Sequence, residues 1–178
     1  LISFHAFDAH PYKHPVIGSM NDLNAATIAD VRVICATGLY KEDLGGAYFK
    51  FHQHFGTGAD EIADLYTQEL TEGIGETGVK AGFIKCATGV LKDEVGRPHI
   101  TPYEDMCLRA GARAHKATGA PITTHTDEAM LGLEQLALFA SEGVDPTRVI
   151  VGHSGDTANL AYHAAIMDHG AYLGCDRF

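Results

Sequence analysis

No cluster of lysines and arginines interrupts the 178 residues: 13 basic side chains stand against 23 acidic ones, a net charge of -10. That balance removes nucleic acid and anionic membrane surfaces as expected partners. No run of eighteen apolar residues occurs, and nothing at the start reads as a basic stretch followed by an apolar one. The expectation is therefore a cytoplasmic protein with no membrane span. The four cysteines, Cys35, Cys86, Cys107 and Cys175, form no C-x-x-C pair. Three of them fall in apolar strand-like runs, so buried free thiols are expected rather than a metal knuckle. Tryptophan is missing altogether, whereas histidine occurs eleven times. That imbalance directs attention to metal chemistry without proving it.

What is present is a rhythm. Short apolar runs at 31–36, 82–87, 121–124, 149–151 and 171–175 alternate with amphipathic stretches at 59–72, 102–118, 131–142 and 157–169. The runs are brief and nearly uncharged, as strands buried on both faces of a parallel sheet are. Thr101 followed by Pro102 starts the second helix, and Gly119 stops it. Leu136, Phe139 and Ala140 form an apolar stripe on the third. Strand-then-helix repetition implies α/β architecture with right-handed crossovers. Five strands fit either an open doubly wound sheet or part of a (β/α)8 barrel, because a whole barrel takes about 250 residues. Residues 1–19 do not share the rhythm and read as irregular, within what is otherwise one incomplete domain over 1–178.

Two motifs match patterns without carrying their chemistry. Gly73-Ile-Gly-Glu-Thr-Gly78 spells G-x-G-x-x-G, but a helix precedes it and a strand follows. A dinucleotide site needs the reverse order, so these glycines are read as a helix stop and turn. His52-Gln53-His54 offers an H-x-H, which on a strand would point both rings to one face. It lies beyond the preceding strand's end, so a loop pair is the favoured reading.

The chemistry gathers at strand ends. Lys85 closes Gly-Phe-Ile-Lys, His125 closes Pro-Ile-Thr-Thr-His, and His153 closes Val-Ile-Val-Gly-His. In a parallel α/β fold that edge is where ligands bind. Alternation puts Phe83, Lys85 and Ala87 on one strand face, and an ammonium pointing inward is costly unless paired or deprotonated. Either the lysine snorkels to the rim, or its neutral amine takes up carbon dioxide. The carbamate so formed could bridge two cations about 3.5–4 Å apart. Imidazoles suit zinc, manganese, cobalt or iron.

The segments Ala-Thr-Gly-Leu-Tyr (36–40), Gly-Phe-Ile-Lys-Cys-Ala-Thr (82–88), Thr-Thr-His-Thr (123–126), Gly-His-Ser-Gly-Asp-Thr (152–157) and Tyr-Leu-Gly-Cys-Asp-Arg-Phe (172–178) appear in that order. Together they resemble the phosphotriesterase-like members of the amidohydrolase superfamily, from about residue 31 to the C-terminus. The resemblance implies part of a (β/α)8 TIM barrel, about strands 3 to 7 with their helices. It implies Lys85 as a carboxylated bridging lysine and His125 and His153 as ligands of the more exposed metal. It places Tyr40 and Arg177 at the substrate pocket, and Asp156 and Asp176 as carboxylates supporting catalysis. The implied activity is hydrolysis of an ester bond by a metal-bound hydroxide, first a lactonase. A phosphotriesterase is the alternative, and a non-catalytic ligand-binding protein on a decayed barrel is the alternative of another class. The substrate would be a small ester or lactone, the metal zinc by preference, and a homodimer is allowed. The family's first-strand H-x-H and eighth-strand aspartate have no counterpart here, so the sequence reads as part of a longer protein.

Overall fold

The computed structural model describes residues 34–45, 56 and 58–176. Within them five strands form one sheet: β1 (Ala36–Gly38), β2 (Phe83–Lys85), β3 (Ile122–Thr123), β4 (Val149–Gly152) and β5 (Tyr172–Gly174). Five helices accompany them: α1 (Glu42–Gly45), α2 (Ala59–Thr71), α3 (Pro102–Thr118), α4 (Gly132–Ser141) and α5 (Leu160–Asp168). Pro146–Arg148 and Ser154–Asp156 add single 3-10 turns. All belong to one unit, Cys35–Phe178.

Every strand pairs in parallel with the next in the chain, giving the order β1-β2-β3-β4-β5. A doubly wound sheet reverses its order at a switch point; this one never does. Its two faces also differ. The register aligns Ile84, Ile122 and Val149 on one face, and each is fully buried. On that face they join Ile62 and Tyr66 of α2, Leu108 of α3, Leu136 and Phe139 of α4 and Ile166 of α5 in a single core. The other face carries Lys85, Thr123 and Ile150, half-buried, and Tyr172, 53% exposed. Helices on one side of a sequentially ordered parallel sheet make a segment of a (β/α)8 barrel, whose second face is the interior.

The helix ends follow from local chemistry. Thr101 accepts a hydrogen bond from the Glu104 backbone, while the Glu104 carboxylate accepts one from Thr101 N, a full capping box. Gly119, with φ 74°, closes α3 in the left-handed region. Both predicted bounds of this helix match.

Other bounds differ. The first strand begins only at Ala36, the last residue of the run 31–36, of which 31–33 lie outside the described residues, and it continues to Gly38. Pairing with Phe83 and Lys85, rather than hydrophobicity, sets it. The last helix begins at Leu160, not 157, because Asn159 caps it by accepting from Ala161 N and Tyr162 N. Ala140 is exposed, and α4 buries Gln135 and Leu138 beside Leu136 and Phe139. Of the cysteines, Cys86 and Cys107 are buried, whereas Cys35 is half-buried and Cys175 exposed, contrary to expectation. Burial pushes the thiols of Cys86 and Cys107 up to about 12, which makes both inert. Gly73–Gly78 is the turn between α2 and β2, closed by Ile74 N donating to Val79 O. No helix among the described residues is long and apolar enough to cross a membrane.

Candidate metal centre

Each strand hands its functional residue to the same carboxyl edge. Lys85 is the last residue of β2, His125 follows β3, His153 follows β4, Tyr40 follows β1 and Asp176 follows β5. Glycine makes this edge tight. A Cβ on Gly38, at φ 141°, would lie 1.9 Å from Lys85 O. One on Gly152 would lie 2.2 Å from Thr124 O and 3.8 Å from Lys85 Nζ. No larger residue fits either place without moving the backbone that carries Lys85 or His125.

The rings of His125 and His153 meet edge to face, with centroids 4.6 Å apart. His125 is 2% exposed. Its Nε2 lies 2.7 Å from Asp127 Oδ1, and the Tyr40 hydroxyl stands 3.1 Å from Nδ1 and 3.2 Å from Nε2. Desolvation by burial holds this imidazole below its ordinary pKa, and the smaller pull of Asp127 does not reverse that. A neutral ring is the form that ligates metal. His153, in the left-handed region at φ 59°, bonds through Nδ1 to Asp176 Oδ1 at 2.7 Å. Its backbone N donates to the same oxygen at 3.1 Å. Burial alone would raise Asp176, but the bonds from His153 outweigh it and leave the carboxyl below its usual range.

Lys85 Nζ donates to Thr124 O at 2.7 Å, one residue before His125. The lysine amine thus lies against the strand end that carries His125, whose ring touches that of His153. Asp156 sits on the 3-10 turn after His153, and its backbone N donates to His153 O at 3.1 Å. Arg177, His52 and His54 lie outside the described residues.

Four residues escaped the sequence reading. Lys41 and Asp127 are joined by a close ion pair beside His125, and Lys41 also stands 3.6 Å from Asp43. Burial raises Asp127, yet hydrogen bonds from Lys41 and His125 outweigh it, so its carboxyl is depressed. The bond to Asp127 chiefly raises Lys41. Glu104, 1% exposed, extends its capping role by accepting from Gly89 N at 2.8 Å, which anchors the loop after Lys85. Gln135, fully buried, donates to Thr88 Oγ1 and His125 O, tying β2's loop to β3's.

The donor chemistry suits a divalent metal. Each imidazole has one nitrogen held by a carboxylate, the arrangement that orients ligating histidines. Among the described residues, no three His, Cys, Asp or Glu side chains converge closely enough to hold an ion by themselves. His125 and His153 bring two imidazoles together at this edge, with the Lys85 amine on the neighbouring strand.

Imidazoles and an amine are thus collected at the carboxyl edge of a parallel barrel segment, the edge where such folds bind ligands. Residues 15–178 match the model of the phosphotriesterase family, and the chain belongs to that family. It is 42% identical over 159 residues to a phosphotriesterase homology protein of Mycobacterium tuberculosis, over 86% of this chain and 46% of that protein. It is 40% identical over 151 residues to the aryldialkylphosphatase of Saccharolobus solfataricus, over 83% of this chain and 46% of that protein. A solved structure of organophosphate hydrolysis activity engineered from a weak promiscuous lactonase template superposes with a TM-score of 0.74. Its identity is 40%, over 82% of this chain and 43% of that one. The chain thus spans a little under half the length of the relatives it matches.

Proposed function

We propose that this chain supplies part of the active site of a metal-dependent hydrolase of ester bonds, with lactones as the first substrate class. The observation that carries the proposal is the His125–His153 pair, each ring backed by its own carboxylate. His125, His153 and Lys85 would hold the metal, zinc first, with manganese, cobalt and iron also suited to imidazoles. When bound, such cations would polarise a carbonyl or phosphoryl oxygen and acidify water.

The chain's own residues do the rest. Lys85, after losing the proton of its half-buried ammonium, would add its neutral amine to carbon dioxide and release a second proton, leaving an anionic carbamate as ligand. Asp176 and Asp127 keep the two imidazoles oriented, Asp156 adds a carboxylate on the turn after His153, and Tyr40 puts a hydroxyl beside His125 where substrate would lie. Arg177 joins the proposal as a pocket residue. The partner is a small ester or lactone met in the cytoplasm.

A phosphotriesterase is the second reading, favoured by relatives whose names carry that activity. Purified protein loaded with zinc should be assayed on a γ-lactone and on an aryl dialkyl phosphate. A higher kcat/KM for the lactone supports the proposal. A higher value for the phosphotriester favours the second reading, and turnover of neither by zinc-loaded protein overturns both.

A further inference from the structure

We infer that Asp127, itself held by Lys41, is the positioning residue that decides which nitrogen His125 presents to the site. The inference rests on the reading of His125 as a metal ligand and deepens it.

A neutral imidazole has one donor nitrogen and one acceptor nitrogen, and nothing in a strand end by itself chooses between them. An ionised carboxylate can only accept. Asp127 Oδ1, 2.7 Å from Nε2, therefore places the proton there and leaves the Nδ1 lone pair as the ligating one. His153 is fixed the opposite way: Asp176 holds its Nδ1, which leaves Nε2. Two adjacent rings thus offer different nitrogens because their carboxylates approach from different sides.

Asp127 lies only two residues from His125, so its carboxylate needs an anchor of its own to keep this role. Lys41 provides it, binding Oδ2 while Oδ1 faces the ring. Both partners are largely shielded, with side chains 12% and 18% exposed, so the pair is less screened than a surface one. The connection after β1 therefore acts on His125 twice, through the Tyr40 hydroxyl on the ring and through Lys41 on the carboxylate.

The experiment is zinc titration of the full chain against a chromophoric chelator, for wild type, Asp127→Asn, Lys41→Met and His125→Ala. Side-chain nitrogen NMR of the metal-free proteins is recorded in parallel. Asp127→Asn should weaken zinc binding about 10–100-fold, the usual effect of losing a partner behind a ligating histidine. Lys41→Met should weaken it in the same direction by less. In both, His125 should leave the Nε2–H tautomer of the wild type for a mixture, which a merely structural role would not produce. Wild-type affinity and tautomer in Asp127→Asn, with zinc lost in His125→Ala, would overturn the inference. Wild-type affinity in His125→Ala would instead overturn the ligand reading beneath it. Should Asp127→Asn fail to fold, the same two readouts on Lys41→Met decide.

Discussion

His125 and His153 end different strands, yet their rings touch edge to face with centroids 4.6 Å apart. Neighbouring parallel strands bring them together, and Thr126 Oγ1 donating to Gly152 O at 2.9 Å pins the two strand ends beside the rings. If they share an ion, losing either ring should remove most of the zinc. Elemental analysis of His125→Ala and His153→Ala after dialysis checks this, and full zinc content in either removes that residue from the donor set.

Lys85→Ala should abolish hydrolysis, because it removes the amine proposed to become the anionic ligand at that strand end. Added short carboxylic acids should restore part of the rate by standing in for the carbamate proposed on Lys85. The measurement is kcat with and without the acid, and undiminished activity in the variant would remove Lys85 from the mechanism.

Tyr40→Phe should shift the preference between lactones and phosphotriesters while leaving zinc content unchanged. The hydroxyl touches His125 but the ring nitrogen keeps Asp127 as partner. Zinc loss in this variant would show that Tyr40 supports the metal rather than the substrate.

Gly152→Ala should destabilise the fold by about 1–3 kcal/mol, the range for forcing extra atoms into a packed place. Its Cβ would press on Thr124 O at 2.2 Å, the same oxygen that receives Lys85. Urea unfolding of wild type and variant gives the difference directly. A variant as stable as wild type would mean that this strand end yields.

Glu142 gives a pH dependence away from the site. The Arg109 guanidinium, 2.8 Å away, holds its carboxyl below the usual range, with Arg113 adding to this. A depressed folded value contributes stability above the unfolded pKa of about 4.3, and that contribution is lost as pH falls through the folded value. With Arg109 about a third exposed, screening limits the effect to about 0.5 kcal/mol. Glu142→Gln should thus melt below wild type at pH 7 and converge with it once the pH has fallen through the depressed folded value of the carboxyl.

The strand-end residues were legible because the chain marks them twice, by apolar runs that stop and by polar groups that follow. Lys85, His125 and His153 needed no long-range information. Lys41 and Asp127 did: only the adjacency of β1, β2 and β3 brings together side chains 86 positions apart. Asn159 was passed over for a local reason. Thr157 two residues earlier is also a good capping type, and choosing between them depends on where the turn after His153 ends. Glu104 was half visible, since Thr101-Pro102 marked the helix start but not the contact to Gly89. The first strand was misjudged because Ile34 and its neighbours are hydrophobic enough to look buried, yet Ile34 is 69% exposed.

The unbroken order of the sheet bears on how the protein is made. Each strand lies beside the one synthesised just before it, so every ladder can close as soon as its second member leaves the ribosome. Among the described strands, none between β1 and β5 has to wait for a partner further off than the next one in the chain. Translation itself therefore supplies a timetable for assembly, in which unit after unit is laid against the growing end. A pause in synthesis between units would leave an intermediate whose finished part already resembles the final structure.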